Sequence, residues 1–193
     1  MLEKSDKTEY IFPQVKWEIR DFDSDGYILD LGGGGEGVIG QLKGKDVISI
    51  DFRKEELLEA PEGPLKIVMD ARELKFLDES FHTATAFFSL MYVRKKEDQL
   101  KVFREAWRVL KPGGILHFWD VDISQKPKTD SKYFIVHLLY RIGDKITETG
   151  YGMPWPEEPR GIDYYQEMTK QAGFQKSDTA WEGNTFYLRL VKS

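Results

Sequence analysis

The sequence predicts an α/β domain built on a doubly wound, mostly parallel sheet, and three observations carry that prediction. Short apolar runs alternate with longer amphipathic stretches between residues 27 and 122. The runs are nearly continuous in apolar side chains, as strands covered on both faces must be. Four of the five end at an aspartate, Asp30, Asp51, Asp70 and Asp120, and Ser89 closes the other. Carboxyl ends of parallel strands border the ligand crevice in such sheets, so the acids are expected along one rim.

The elements follow in order. "YILDL" (27–31) reads as the first strand, followed by the glycines of "GGGGEG" and a helix start near Glu36. "DVISID" (46–51) is a second strand, and "FRKEELLEA" a short helix stopped by Pro61. "LKIVMD" (65–70) and "TATAFFS" (83–89) are the third and fourth strands. In "KEDQLKVFREAWRVL" (96–110), Leu100, Phe103, Ala106, Trp107 and Leu110 recur at helical spacing. "KPGG" reads as the stop after that helix, and "ILHFWDVD" (115–122) as the fifth strand. The whole is Rossmann-like.

Beyond residue 122 the pattern changes. "YFIVHLLYRI" and "KITETGYG", joined through Gly143-Asp144, read as a β-hairpin inserted after the fifth strand. "YGMPWPEEPRG" (151–161) is rich in proline and aromatics and is expected to be neither helix nor central strand. "DYYQEMTKQAGF" is a helix closed by Gly173, and the tail reads as an antiparallel hairpin turning at Gly183-Asn184. One domain accounts for all 193 residues: an N-terminal segment (1–26), a core (27–122), an insertion and candidate substrate lid (123–161), and a C-terminal helix and hairpin (162–193). Residues 131–161 fit either a lid or a homodimer contact.

Composition removes several classes of function. The formal net charge of −5 opposes a polyanion, so no nucleic-acid partner is expected. The N-terminus "MLEKSDKTEY" lacks the apolar core of a signal peptide, and the longest apolar run, "YFIVHLLY", is far short of a bilayer span. No membrane partner is expected. Cysteine is absent, which excludes disulfides and thiolate metal sites and fits a cytoplasmic location. His82, His117 and His137 are scattered without metal-ligand spacing, so no metal is expected.

The glycine turn carries the chemistry. Four consecutive glycines cost backbone entropy, which a tight turn or the approach of a ligand must offset. Gly32, Gly34 and Gly37 satisfy the loose dinucleotide pattern, and Asp51 follows at the end of the second strand, so a nicotinamide-dependent reductase is one reading. Asp30 counts against it. A carboxylate at the end of the first strand repels a pyrophosphate and suits a cofactor with a cationic amino-acid end.

Four stretches in order, "ILDLGGGGEG", "VISIDFRKEELLEA", "MDARELKFLDESFHTATAFFSLMYV" and "REAWRVLKPGGILHFWD", resemble the class I S-adenosylmethionine-dependent methyltransferases. The likeness covers about residues 27–120 and is greatest to the small-molecule type related to ubiquinone- and menaquinone-pathway enzymes. It implies S-adenosyl-L-methionine as cofactor and a small-molecule methyl acceptor as partner. By the same resemblance, Asp30 and the backbone of Gly32, Gly33 and Gly34 face the methionine end. Asp51 takes both ribose hydroxyls and Phe52 packs on the adenine. Asp70 accepts from the adenine amino group, with Ala71 and Arg72 presenting backbone beside the ring. Phe87 meets the methionine portion through its main chain. The chain departs from the pattern at Glu36, where a third glycine is usual, and at "FFSL", which replaces the Pro-Pro tetrapeptide of amino-base nucleic-acid methylases.

A sulfonium methyl is already activated, so catalysis needs alignment and exclusion of water before it needs a base. No residue must be that base, and the catalytic residues stay unassigned. Tyr92, Asp120, His137 and Trp155 are the candidates for contact with the acceptor. A domain that holds the cofactor without turnover and works through a partner is the other reading kept open.

Overall fold

In the computed structural model, residues 9–193 are described. Eleven strands and four α-helices form two sheets and a helical layer among these residues. The main sheet contains β3 (Ile28–Leu31), β4 (Val47–Asp51), β5 (Leu65–Val68), β6 (Phe81–Phe87), β7 (Leu110–Val121), β10 (Phe174–Glu182) and β11 (Thr185–Lys192). Its order is β10-β11-β7-β6-β3-β4-β5. The central five strands are parallel, and β11 and β10 run antiparallel to β7 and to each other. From β3 the chain steps outward through β4 and β5, then returns to the other side of β3 at β6. That reversal opens a crevice beyond the ends of β3 and β6.

Helices α1 (Val38–Lys43), α2 (Lys54–Glu59), α3 (Lys96–Val109) and α4 (Ile162–Ala172) follow the expected segments. In α3 the buried residues Gln99, Val102, Phe103, Ala106 and Val109 form one face. With α4 that face covers one side of the sheet through Phe118, Tyr165, Met168 and Phe186. Each fully buried side chain of the Val or Phe kind contributes roughly 1.5–3 kcal/mol. No helix joins β5 to β6 among the described residues. Instead Arg108 of α3 donates to the carbonyls of Leu74 and Phe76, both at 2.9 Å, and pins the crossover to the helix.

The other face is covered by α1 and, beyond it, by a second sheet. There β8 (Tyr133–Ile142) pairs with β9 (Lys145–Pro154) along one edge. Along its other edge lie two short parallel strands, β1 (Glu9–Ile11) and β2 (Val15–Glu18). The N-terminal segment was expected to hold no strand. It pairs with a partner over a hundred residues away, and Trp17 Nε1 donates to Thr185 Oγ1 at 2.7 Å. Phe12, Trp17, Phe134, Leu138 and Tyr140 pack with Val38, Ile39, Phe87 and Trp119 in a second core between the sheets.

Two boundaries also differ from expectation. The Pro-Gly-Gly segment is not a separate turn: β7 begins at Leu110, directly after α3, and pairs with Phe81. The strand expected over "KITETGYG" runs two residues further as β9, to Pro154, where an edge strand tolerates the missing N–H.

Candidate functional site

The crevice is a cleft of about 910 Å³, within the range of small-molecule sites. Its floor is the glycine turn and the ends of β3, β4, β5 and β6. Its roof is Gly150–Pro154 of β9. Asp30, Gly32, Gly33, Gly34, Asp51, Phe52, Asp70, Ala71, Arg72, Phe87 and Tyr92 all line it.

The turn shows why glycine is needed. Gly32, Gly35 and Gly37 have φ of +74°, +57° and +53°, where side chains are strained. At Gly33 a Cβ would lie 2.3 Å from Asp30 Oδ2, and at Gly34 it would lie 2.4 Å from Glu56 Cβ. The glycines at 33 and 34 therefore answer to the protein's own packing. The slot for a ligand lies beside the turn, among the carboxylates.

Those carboxylates differ in state. Asp30 is 2% exposed, and Thr85 Oγ1 donates to its Oδ1 at 2.6 Å. Burial pushes the Asp30 carboxyl up to about 7, and the negative charge of Asp51 adds to the push. Asp51 is half-buried at the end of β4; burial raises it, while the Arg53 N–H, 2.8 Å from Oδ1, pulls the other way. Asp70 is held below the ordinary carboxylate range by Arg72, whose guanidinium reaches Asp70 Oδ2 at 2.6 Å and Asp98 Oδ2 at 3.1 Å. Arg72 thus does more than present backbone: it occupies both oxygens of Asp70. Phe52 is 71% exposed and leaves an open aromatic face at the rim.

On the opposite wall, Phe88 has a φ of +49°, rare for an aromatic residue and worth roughly 1–3 kcal/mol of strain. Its N–H donates to the Trp119 carbonyl at 3.0 Å, and its ring stacks on Tyr151 at 5.3 Å with an interplanar angle of 9°. Tyr92 is lifted by desolvation to about 12. Ser89 Oγ closes the floor by donating to the Leu31 carbonyl at 2.7 Å.

Three acceptor-side candidates lie elsewhere. Asp120 is fully buried because β7 runs past it and β11 covers it, pairing Asp120 with Phe186. Desolvation raises its carboxyl to about 7; Oδ1 accepts from the Val121 N–H, and Oδ2 finds no partner among the described residues. His137 sits on β8 with its ring against Glu148 and Gln14, away from the cleft. Trp155 packs on Phe134 at 4.8 Å, and Lys126 lies over its ring. Sequence reasoning missed Phe88, Tyr151 and Met153 as wall residues and set Glu36 aside as a departure. Among the described residues no group of three or more metal-ligating side chains converges.

Residues 29–118 match the family described as "Methyltransferase domain". The chain is 34% identical to "Putative methyltransferase YqeM" of Bacillus subtilis, over 83% of this chain and 78% of that protein. It is 27% identical to a demethylmenaquinone methyltransferase of Chlorobaculum parvum, over 75% of this chain, but spans only 58% of that protein's length. The fold is shared with an S-adenosylmethionine-dependent methyltransferase of Methanosarcina mazei at a TM-score of 0.63 and 18% identity, covering 89% and 94% of the two chains. It is shared equally with the PH0226 protein of Pyrococcus horikoshii, at a TM-score of 0.63 and 20% identity over 87% and 83%. Fold and cleft thus define a Rossmann-like ligand-binding domain of the methyltransferase type. The chain belongs to the S-adenosylmethionine-dependent methyltransferase family.

Proposed function

We propose that this chain binds S-adenosylmethionine in the cleft and transfers its methyl group to a small molecule held under β9. One observation supports this most: Asp30, Asp51 and Asp70 open onto the same cleft at the switch point of the sheet, beside a turn stripped of side chains. When bound, the cofactor supplies an activated sulfonium methyl. The protein's share is recognition, orientation and dryness.

The residues fit that cofactor. Asp51 offers two carboxylate oxygens to a pair of ribose hydroxyls, an arrangement that charge-assisted hydrogen bonds favour. Phe52 gives a ring for the adenine to lie against. Asp70, kept ionised by Arg72, presents its carboxylate at the cleft, where an amino group would share its oxygens with Arg72. Buried Asp30 lacks a cationic partner among the described residues, and an ammonium group is the complement it wants. Phe87 serves the methionine portion of the cofactor, and Tyr92 stands toward the acceptor side. A pyrophosphate would meet the carboxylates of Asp30, Asp51 and Asp70 along this floor, which disfavours the nicotinamide reading.

Among the described residues no helix is long and apolar enough to cross a membrane. We place the protein in the cytoplasm, a compartment with which a chain lacking cysteine is compatible, and assign it no nucleic-acid partner. Titration calorimetry tests the reading: S-adenosylmethionine and S-adenosylhomocysteine release heat on binding, and NADH does not. Heat from NADH alone overturns it.

A further inference from the structure

Opposite the cofactor carboxylates, the cleft holds a second set of polar groups. Glu36 is bracketed by Gly35 and Gly37, both in the left-handed region. That double reversal lifts its side chain off the floor toward the roof. Thr149 Oγ1 of β9 donates to Glu36 Oε1, and Tyr151, two residues on along β9, feels the charge of the Glu36 carboxylate. Tyr92, arriving from the turn after β6, lies close enough to feel the same negative charge. Stacked Phe88 and Tyr151 form the apolar wall, with Phe87 6.4 Å from Tyr151.

The cations lining the cleft stand apart from this set. Arg53 is paired with Glu56 at 2.8 Å, Arg72 is held by Asp70 and Asp98, and Arg94 and Lys95 are exposed. A carboxylate only accepts, and it has about four lone-pair positions. Thr149 uses one, which leaves capacity for a donor on a bound molecule. Aromatic faces beside it favour a flat body and tolerate a cation. A second carboxylate brought here would be desolvated against Glu36, while the cleft's cations are either paired, as Arg53 and Arg72 are, or exposed to screening water, as Arg94 and Lys95 are.

We propose that Glu36, with Tyr92 and Tyr151, forms an acceptor subsite for a flat apolar molecule bearing a hydrogen-bond-donating head, an amine or a phenol, and closed to carboxylic acids. The proposal rests on the methyl-transfer reading and adds the acceptor's chemistry to it. Glu36 is then the specificity-determining residue, placed by an enlargement of the glycine turn.

Saturation-transfer NMR on the full chain with S-adenosylhomocysteine bound tests it, using benzylamine, 4-methylphenol and 4-methylbenzoate as probes. The expected result is saturation of the amine, the phenol or both, with the benzoate weaker by about tenfold, the ratio 1.4 kcal/mol produces. An amine-only response assigns a cationic head, and a phenol-only response a neutral hydroxyl. Glu36→Gln erases the discrimination, and Tyr151→Phe, which keeps the wall, weakens it. Equal saturation by the benzoate, no saturation by any probe, or an unchanged ranking in Glu36→Gln overturns the proposal. Calorimetry of S-adenosylhomocysteine on the same samples separates the two failures. Absent heat in the unaltered protein sinks the cofactor reading, whereas normal heat with indiscriminate probes sinks only this inference.

Discussion

Thr85 on β6 donates a 2.6 Å hydrogen bond to Asp30 on the neighbouring strand β3, beneath the glycine turn. Both residues are buried, so the hydroxyl supports a carboxyl that has lost its water. Thr85→Val keeps the volume and removes the donor. The expected cost is about 1–3 kcal/mol in urea unfolding, the penalty for a buried polar group left unpaired. An unchanged unfolding midpoint would show that Asp30 is satisfied some other way.

Asp30 also links cofactor binding to pH. Its carboxyl sits at about 7, half protonated near neutrality. A cationic ligand beside it favours the ionised form, so binding expels a proton and affinity rises as pH climbs through 7. Calorimetry of S-adenosylmethionine in two buffers of different ionisation enthalpy reads that proton directly. Proton uptake on binding is the contrary result.

Stability should fall with rising pH on the acid side of neutrality. Asp30 and Asp120 are raised from 3.8 to about 7, so each stabilises the fold below pH 4 and loses that contribution as pH rises to 7. His117 is lowered from 6.5 to about 4 by burial and works in the opposite direction over pH 4 to 6.5. Between those limits the folded chain holds one net extra proton, a slope of at most about 1.4 kcal/mol per pH unit. Carboxylates held low by cations, such as Asp70 and Glu105, act in more acidic solution. Asp120→Asn should flatten the slope in urea titrations across that window. A slope that survives the substitution contradicts the assignment.

Gly33 is fixed by packing. A Cβ there would lie 2.3 Å from Asp30 Oδ2 and 2.9 Å from Ser49 Cβ. Gly33→Ala should cost about 1–3 kcal/mol, as overpacking of a tight core does. Thermal unfolding measures it, and a neutral effect would mean that the turn has room to spare.

These sites differ in how far the sequence foretells them. Asp30, Asp51 and Asp70 are legible because apolar runs locate strand ends, and parallel sheets put those ends on one rim. Asp120 follows the same local rule yet is buried, because its surroundings depend on β11 returning from about 65 residues later. The roof is harder. Its hairpin is readable from Gly143-Asp144, but β1 and β2 span only three and four residues and take their partner from β8. Alternation in "VKWEI", with Val15, Trp17 and Ile19 buried, was the available signal for β2. The hydrogen bond between Glu36 and Thr149 has no local signature. It arises only when the roof closes over the turn.

Asp51→Ala gives the most direct test, read as the dissociation constant of S-adenosylmethionine by calorimetry. In the proposed placement the side chain accepts from two ribose hydroxyls, and charge-assisted bonds of this kind are each worth roughly 1.5–3 kcal/mol. Affinity should weaken tenfold or more while circular dichroism and the unfolding midpoint stay close to those of the unaltered protein. An unaltered affinity in a folded variant would contradict the placement of the cofactor in this cleft.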